Sequence, residues 1–254
     1  MRIFDREQWK KTICFDSAFP YWVCNECNEG SLQKKDQLIA EPAETKWLRT
    51  SDDGPGLDVD NYYAHMTIKL ECSNPRCLSE SLLSGVITNE YSDDYYSNDD
   101  YNKREHILDV FSPLFFTIPP QVIFIPEGTP EDQKEMIQQS FKVFFDDPNS
   151  SANKIRIFLE KLVPKDVDNK GNLHQRLEKE FKDYRPDILN LLLASKWIGN
   201  DASHEADITH EDILDSYEFI ELALGKLYPE DHSSILSKAG SINTHKKSSS
   251  KIKS

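Results

Sequence analysis

Tyr62-Tyr63-Ala64-His65-Met66-Thr67-Ile68-Lys69-Leu70-Glu71-Cys72 alternates with period two. Tyr62, Ala64, Met66, Ile68 and Leu70 take one side, and Tyr63, His65, Thr67 and Lys69 take the other. Alternation of this length specifies a half-buried β-strand. The strand runs straight into Cys72, and Cys72-Ser73-Asn74-Pro75-Arg76-Cys77 follows. Upstream, Cys24-Asn25-Glu26-Cys27 again sets two cysteines across a tight turn. Two thiolates can reach one ion at about 2.3 Å only from such a turn, and two turns complete a tetrahedral set. Cys24, Cys27, Cys72 and Cys77 are therefore expected to hold one structural Zn2+. Four thiolates leave no open position for water, so the site is not catalytic. A redox-active pair would sit in a βαβ context, which the flanking sequence does not offer. His65 precedes Cys72 without a partner residue and is not counted as a ligand. Cys14, in Thr12-Ile13-Cys14-Phe15, reads as a small buried residue.

Outward from this strand, Leu82 to Tyr91 is a second strand candidate, and Ser51 to Gly56 is turn-rich. Tyr91 to Tyr101 is dense in Asp and Tyr but lacks EF-hand spacing, so it reads as a solvated hairpin tip. Residues 1–118 are expected to form a β-rich, zinc-ribbon-like region. Pro113, Pro119, Pro120, Pro126 and Pro130 then mark a connecting segment without long helices. Helices follow. Thr129 is the expected cap of the first, with Pro130 at its first position and Glu131 and Asp132 favouring its dipole. Met136, Ile137, Phe141, Phe144 and Phe145 supply its apolar side. Asp147-Pro148-Asn149-Ser150 breaks it. A second helix carries Ile155, Phe158, Leu159 and Leu162. After Gly171 a third carries Leu173, Leu177 and Phe181. Pro186 opens a fourth, through Leu189, Leu192, Leu193 and Trp197. Thr209 and Asp212 form a capping start for a fifth, with Ile213, Tyr217, Ile220, Leu224 and Leu227 on one side. Residues 119–232 thus predict a compact helical bundle, and the fold class is α+β. Residues 233–254 are rich in Ser and Lys, with Lys246, Lys247, Lys251 and Lys253, and predict a disordered, solubilising tail.

The 254 residues carry a net charge of −14, with 29% charged and 38% hydrophobic residues. An acidic body excludes a general nucleic-acid coat, because phosphates need cationic surface, but it leaves room for a small basic cleft. The longest apolar runs, Phe111 to Ile118 and Ile188 to Ala194, are too short to span a bilayer. Met1-Arg2-Ile3-Phe4-Asp5-Arg6-Glu7 has no apolar signal core, so a cytoplasmic protein without a membrane partner is expected. Five cysteines in such a compartment do not make a disulfide scaffold.

The fourth helix ends in Lys196-Trp197-Ile198-Gly199-Asn200-Asp201-Ala202-Ser203-His204. Lys196, Asn200 and His204 step by four and drift only about 40° per step, so a continuous helix puts them on one side. A cation, an amide and an imidazole in a row can hold a phosphate and move a proton. The same residues also suit a polar helix end, with Gly199 loosening the turn and Asn200 and His204 capping it. This stretch resembles the signature of the bacterial domain-of-unknown-function 4145 family. Asp147 through Arg156 with Glu160, Leu173-His174-Gln175-Arg176, and Thr209 through Asp215 are similar to further parts of that family. Trp9 through the Cys24 knuckle looks like the zinc-ribbon front of many members.

The resemblance implies a HEPN-like bundle, often a homodimer, related to ribonucleases and to components of toxin, antiphage-defence or mobile-element systems. It implies RNA or a partner protein as ligand. The usual HEPN motif is an Arg and a polar residue, then His a few residues on. Asn200 and His204 match the last two, whereas Gly199 stands where the Arg would be. Lys196 or Arg156 could supply the missing cation. The expected function is thus a regulatory, RNA- or protein-binding zinc module, with a metal-independent endoribonuclease acting through Arg156, Lys196, Asn200 and His204 as the alternative.

Overall fold

A computed structural model describes residues 4–15, 18–50, 56–92, 107–163, 171–201, 208–229, 233, 235 and 237–242, without the side chains of 199–201. The chain is α+β, a six-stranded antiparallel sheet followed by a helical region. The strands are β1 (Ile13–Cys14), β2 (Trp22–Val23), β3 (Ser31–Ala40), β4 (Tyr63–Cys72), β5 (Glu80–Tyr91) and β6 (Ile107–Phe116), in the order β1-β6-β5-β4-β3-β2. Helix α1 (Ala43–Thr50) lies between β3 and β4.

In β4 the alternation holds. Ala64, Met66, Ile68, Leu70 and Cys72 are buried, and the residues between them are not. The partner strand β5 starts two residues before the expected Leu82, at Glu80. Residues 93–101 of the acidic tyrosine-rich stretch, like most of the turn-rich stretch after Ser51, lie outside the described residues. His65 is exposed on β4 beside Tyr63, away from the cysteines. Cys14 is only partly buried, at the short strand β1.

Pro113 does not belong to the proline-marked connection. It sits inside β6 opposite Gly85, next to a shift in register. Strand β1 covers only Phe111 and Val110 on the far side of β6, so the missing amide of Pro113 leaves no ladder bond unmade.

Helices follow, among the described residues α2 (Glu131–Val143), α3 (Pro148–Leu162), α4 (Leu173–Phe181), α5 (Pro186–Asp201) and α6 (His210–Leu227). Thr129 does not cap α2; it is buried, its hydroxyl has no partner, and Pro130 stands at the cap position. The Asp147 carboxylate caps α3 by accepting from the Ser150 amide at 2.9 Å. Asn172 with Gln175 and Thr209 with Asp212 form reciprocal capping boxes on α4 and α6. The expected apolar sides of α2, α3, α4 and α6 are buried apart from the half-buried Met136 and Leu227, but Trp197 on α5 is 53% exposed. Residues 237–242 of the lysine- and serine-rich tail are helical and exposed.

Sheet and helices share one core. Trp22 stacks on Trp9 at 5.7 Å and meets Phe116 edge-on at 5.2 Å, while Phe144 and Phe145 close over them from the end of α2. Aromatic pairs of this kind stabilise by about 1 kcal/mol each beyond their area. The N-terminal segment is strapped to α6. Arg6 pairs with Glu211 and Asp215, and the Trp9 carbonyl lies 2.7 Å from His210 Nε2. Glu221 accepts from the Phe4 amide at 3.1 Å and the Phe124 amide at 2.8 Å, tying the strap and the sheet-to-helix connection to one carboxylate.

Candidate metal centre and cationic site

Each cysteine pair is built on a backbone turn. The Cys24 amide donates to the Gly30 carbonyl at 2.9 Å, and the Asn28 amide donates to the Cys24 carbonyl at 2.9 Å. In the second turn the Cys72 amide donates to the Ser79 carbonyl at 2.9 Å and the Cys77 amide to the Asn74 carbonyl at 3.0 Å. Asn28 and Leu78 take positive φ, 56° and 53°, which lets the chain reverse tightly after each pair. The Ser73 amide donates to the Ser31 carbonyl at 2.8 Å and links the two turns.

The turns bring four sulfurs together, all within 4.8 Å of one another. Cys24 Sγ lies 3.8 Å from Cys77 Sγ, and Cys27 Sγ lies 3.6 Å from Cys72 Sγ. A tetrahedron with metal–sulfur bonds of 2.3 Å has edges of about 3.8 Å, so the donor set fits a metal ion such as zinc. The Gly30 amide points at Cys27 Sγ and the Asn74 amide at Cys72 Sγ, each at 3.4 Å. Burial resists ionisation of Cys27, but the amides of Gly30 and Glu29 outweigh it and bring its thiol down to about 6. Burial pushes the Cys72 thiol up to about 12, so this sulfur ionises only with a cation at hand. Gly30 is required here: a Cβ would overlap Cys72 Sγ and sit 2.8 Å from the Asn74 amide nitrogen. The first knuckle also touches the helices, since Gln138 Nε2 of α2 donates to Asn25 Oδ1 at 3.1 Å.

The second candidate site lies on the helices. Lys196 is 6% exposed on α5, and it has no hydrogen bond or carboxylate partner among the described residues. Its Nζ stands 3.6 Å over the Trp197 ring. Burial lowers the Lys196 pKa, and the charge of Arg156 from α3 lowers it further. Arg156 itself is half-exposed and faces Glu160 one turn on, at 3.7 Å. The charge of Arg156 thus reaches Lys196 from the neighbouring helix. Asn200 lies within α5, but its side chain is outside the described residues, and so is His204.

Two residues of α4, left without a role in the sequence reading, have buried nitrogens without a partner among the described residues. The His174 ring lies 5.9 Å from that of Trp197, and His174 Nδ1 is buried with no partner. Arg176 Nε is likewise buried without a partner. Their positions in the family-like stretch were legible; their missing partners were not, because those depend on how α4 lies against α5.

No curated protein and no solved structure matches the chain. Residues 138–253 match the family described as Domain of unknown function (DUF4145). The match begins at Gln138, the α2 residue that holds the first knuckle, and takes in α3 to α6 with both Lys196 and Arg156. The helical part of this chain is thus similar to a DUF4145 domain over those residues.

Proposed function

We propose that the chain is a zinc-binding, HEPN-like module that binds RNA within a bacterial defence or mobile-element system. The zinc is structural, held by Cys24, Cys27, Cys72 and Cys77. The observation that carries the RNA assignment is Lys196, a buried ammonium with no carboxylate partner among the described residues, which feels the charge of a second cation, Arg156. A desolvated ammonium that also feels a second cation favours an anion at that position, and phosphate is an anion such groups recognise. On an acidic body the contact is confined to that position, which suits one or two phosphates. Binding of a labelled RNA by the wild-type chain and by Lys196→Ala tests the assignment. Loss of affinity with unchanged melting supports it, and equal binding by the two proteins contradicts it.

A metal-independent endoribonuclease is the second assignment. Helix α5 runs unbroken past Asn200, so Lys196 and Asn200 fall on one side of it. With His204 as base, a ribose 2′-hydroxyl would attack its own phosphate while Lys196 or Arg156 steadies the charge. Gly199, standing where the family's usual Arg would be, is the reason this comes second. Cleavage that survives a chelator and is lost in His204→Ala would promote it. We also propose a cytoplasmic homodimer formed through the helices, which light scattering tests against the 29.4 kDa chain.

A further inference from the structure

Trp197 stands out on α5. It is 53% exposed, next in sequence to a lysine that is 6% exposed. The ammonium has no carboxylate among the described residues, and the π face of the indole, 3.6 Å away, is what stabilises its charge. An arriving phosphate offers that ammonium a full negative charge. Lys196 then turns to the phosphate, and the ring face it covered is released. A nucleotide carries a phosphate and a flat aromatic base in one covalent unit, so it can replace both contacts at once.

We propose that Trp197 is the stacking platform for one unpaired base of a single-stranded RNA, whose adjoining phosphate takes Lys196. The proposal rests on the RNA assignment above and adds the form of RNA that is bound. A base inside a duplex has both faces covered by its neighbours and cannot use the platform, whereas an unpaired base can. The charge balance points the same way. A net −14 does not follow a long double-stranded backbone, but it tolerates a single stacked nucleotide over a local cation pair.

The test is fluorescence anisotropy of the full chain with a short single-stranded RNA of mixed sequence. The comparison probes are the same strand made abasic, which keeps every phosphate, and the strand paired with its complement. Wild-type protein is expected to bind the intact single strand about tenfold more tightly than either probe. Trp197→Ala should lose about that factor on the intact strand and no longer tell it from the abasic one. Trp197→Phe, which keeps a π face, should recover most of the discrimination. Equal binding of intact and abasic strands by wild type, or unchanged binding by Trp197→Ala, overturns the proposal. If affinity then still depends on Lys196, the RNA assignment stands and only the platform falls. If no RNA binds at all, both fall. Trp197 is half in water, so its variants are expected to fold, and their melting temperatures verify it.

Discussion

Lys196 is the residue at which fold and function pull apart. A buried lysine without a carboxylate destabilises the folded state, and among the described residues the Trp197 ring is the contact that offsets this for Lys196. Lys196→Met removes the charge and strands no carboxylate among the described residues, so its melting temperature should equal or exceed that of wild type while RNA affinity falls about tenfold. A lower melting temperature would mean that Lys196 is part of the scaffold. His210 gives a pH signature. It packs on Phe144 at 4.1 Å, and burial depresses its pKa below the ordinary 6.5. The unfolded chain takes up this proton near 6.5 and the folded chain only at lower pH. Between the two the unfolded state holds more protons, so the stability contributed by neutral His210 is present above 6.5 and is lost as pH falls below it. Thermal melts from neutral to mildly acidic pH should decline more steeply for wild type than for His210→Gln. Parallel slopes would show that His210 does not titrate differently on folding.

At the scale of elements, the knuckles and the strap are the joints. Gly30→Ala places a methyl group against Cys72 Sγ and the Asn74 amide nitrogen, both parts of rigid backbone turns. It should lower metal content and melting temperature together, whereas Gly56→Ala, with open space but a positive φ of 82°, should cost only backbone strain and leave the metal in place. Arg6→Ala removes the ion pairs to Glu211 and Asp215; both partners are largely in water, so about 1 kcal/mol or less is expected, read by denaturant unfolding. Elements with one wet and one dry side were legible in the sequence, as with β4 and the apolar sides of α2, α3, α4 and α6. Strand β3 was not, because its last eight residues are exposed and Lys34, Lys35 and Asp36 give no alternation. Helix α1 was missed for the same reason, since Thr45 is its only buried residue. Trp197 misled in the other direction: its spacing suits the apolar side of α5, and only the tertiary arrangement leaves it in water. The four cysteines were fully legible because turn spacing alone limits where such a pair can point. The Lys196 site was legible only in part, since the approach of Arg156 and His174 comes from other helices.

Across the whole molecule, the four-cysteine cluster and the bundle are mechanically continuous. The first knuckle bonds to Gln138, and two residues before it Trp22 enters the core shared with Phe144 and Phe145. Losing the metal should therefore loosen the end of the sheet and expose the aromatic junction, not merely fray a loop. Structural zinc contributes on the order of 10 kcal/mol in small zinc-finger peptides, comparable to the whole stability of an ordinary domain. Chelation is expected to lower the melting temperature and shift the tryptophan emission of Trp9 and Trp22 to the red, while readdition of Zn2+ reverses both. The most direct measurement is the metal content of the freshly purified chain beside a Cys24→Ser, Cys77→Ser variant. One zinc per wild-type chain, none in the variant, and a lower melting temperature for the variant are the expected results. A wild-type chain without zinc, or a variant that melts with the wild type, would contradict the metal centre.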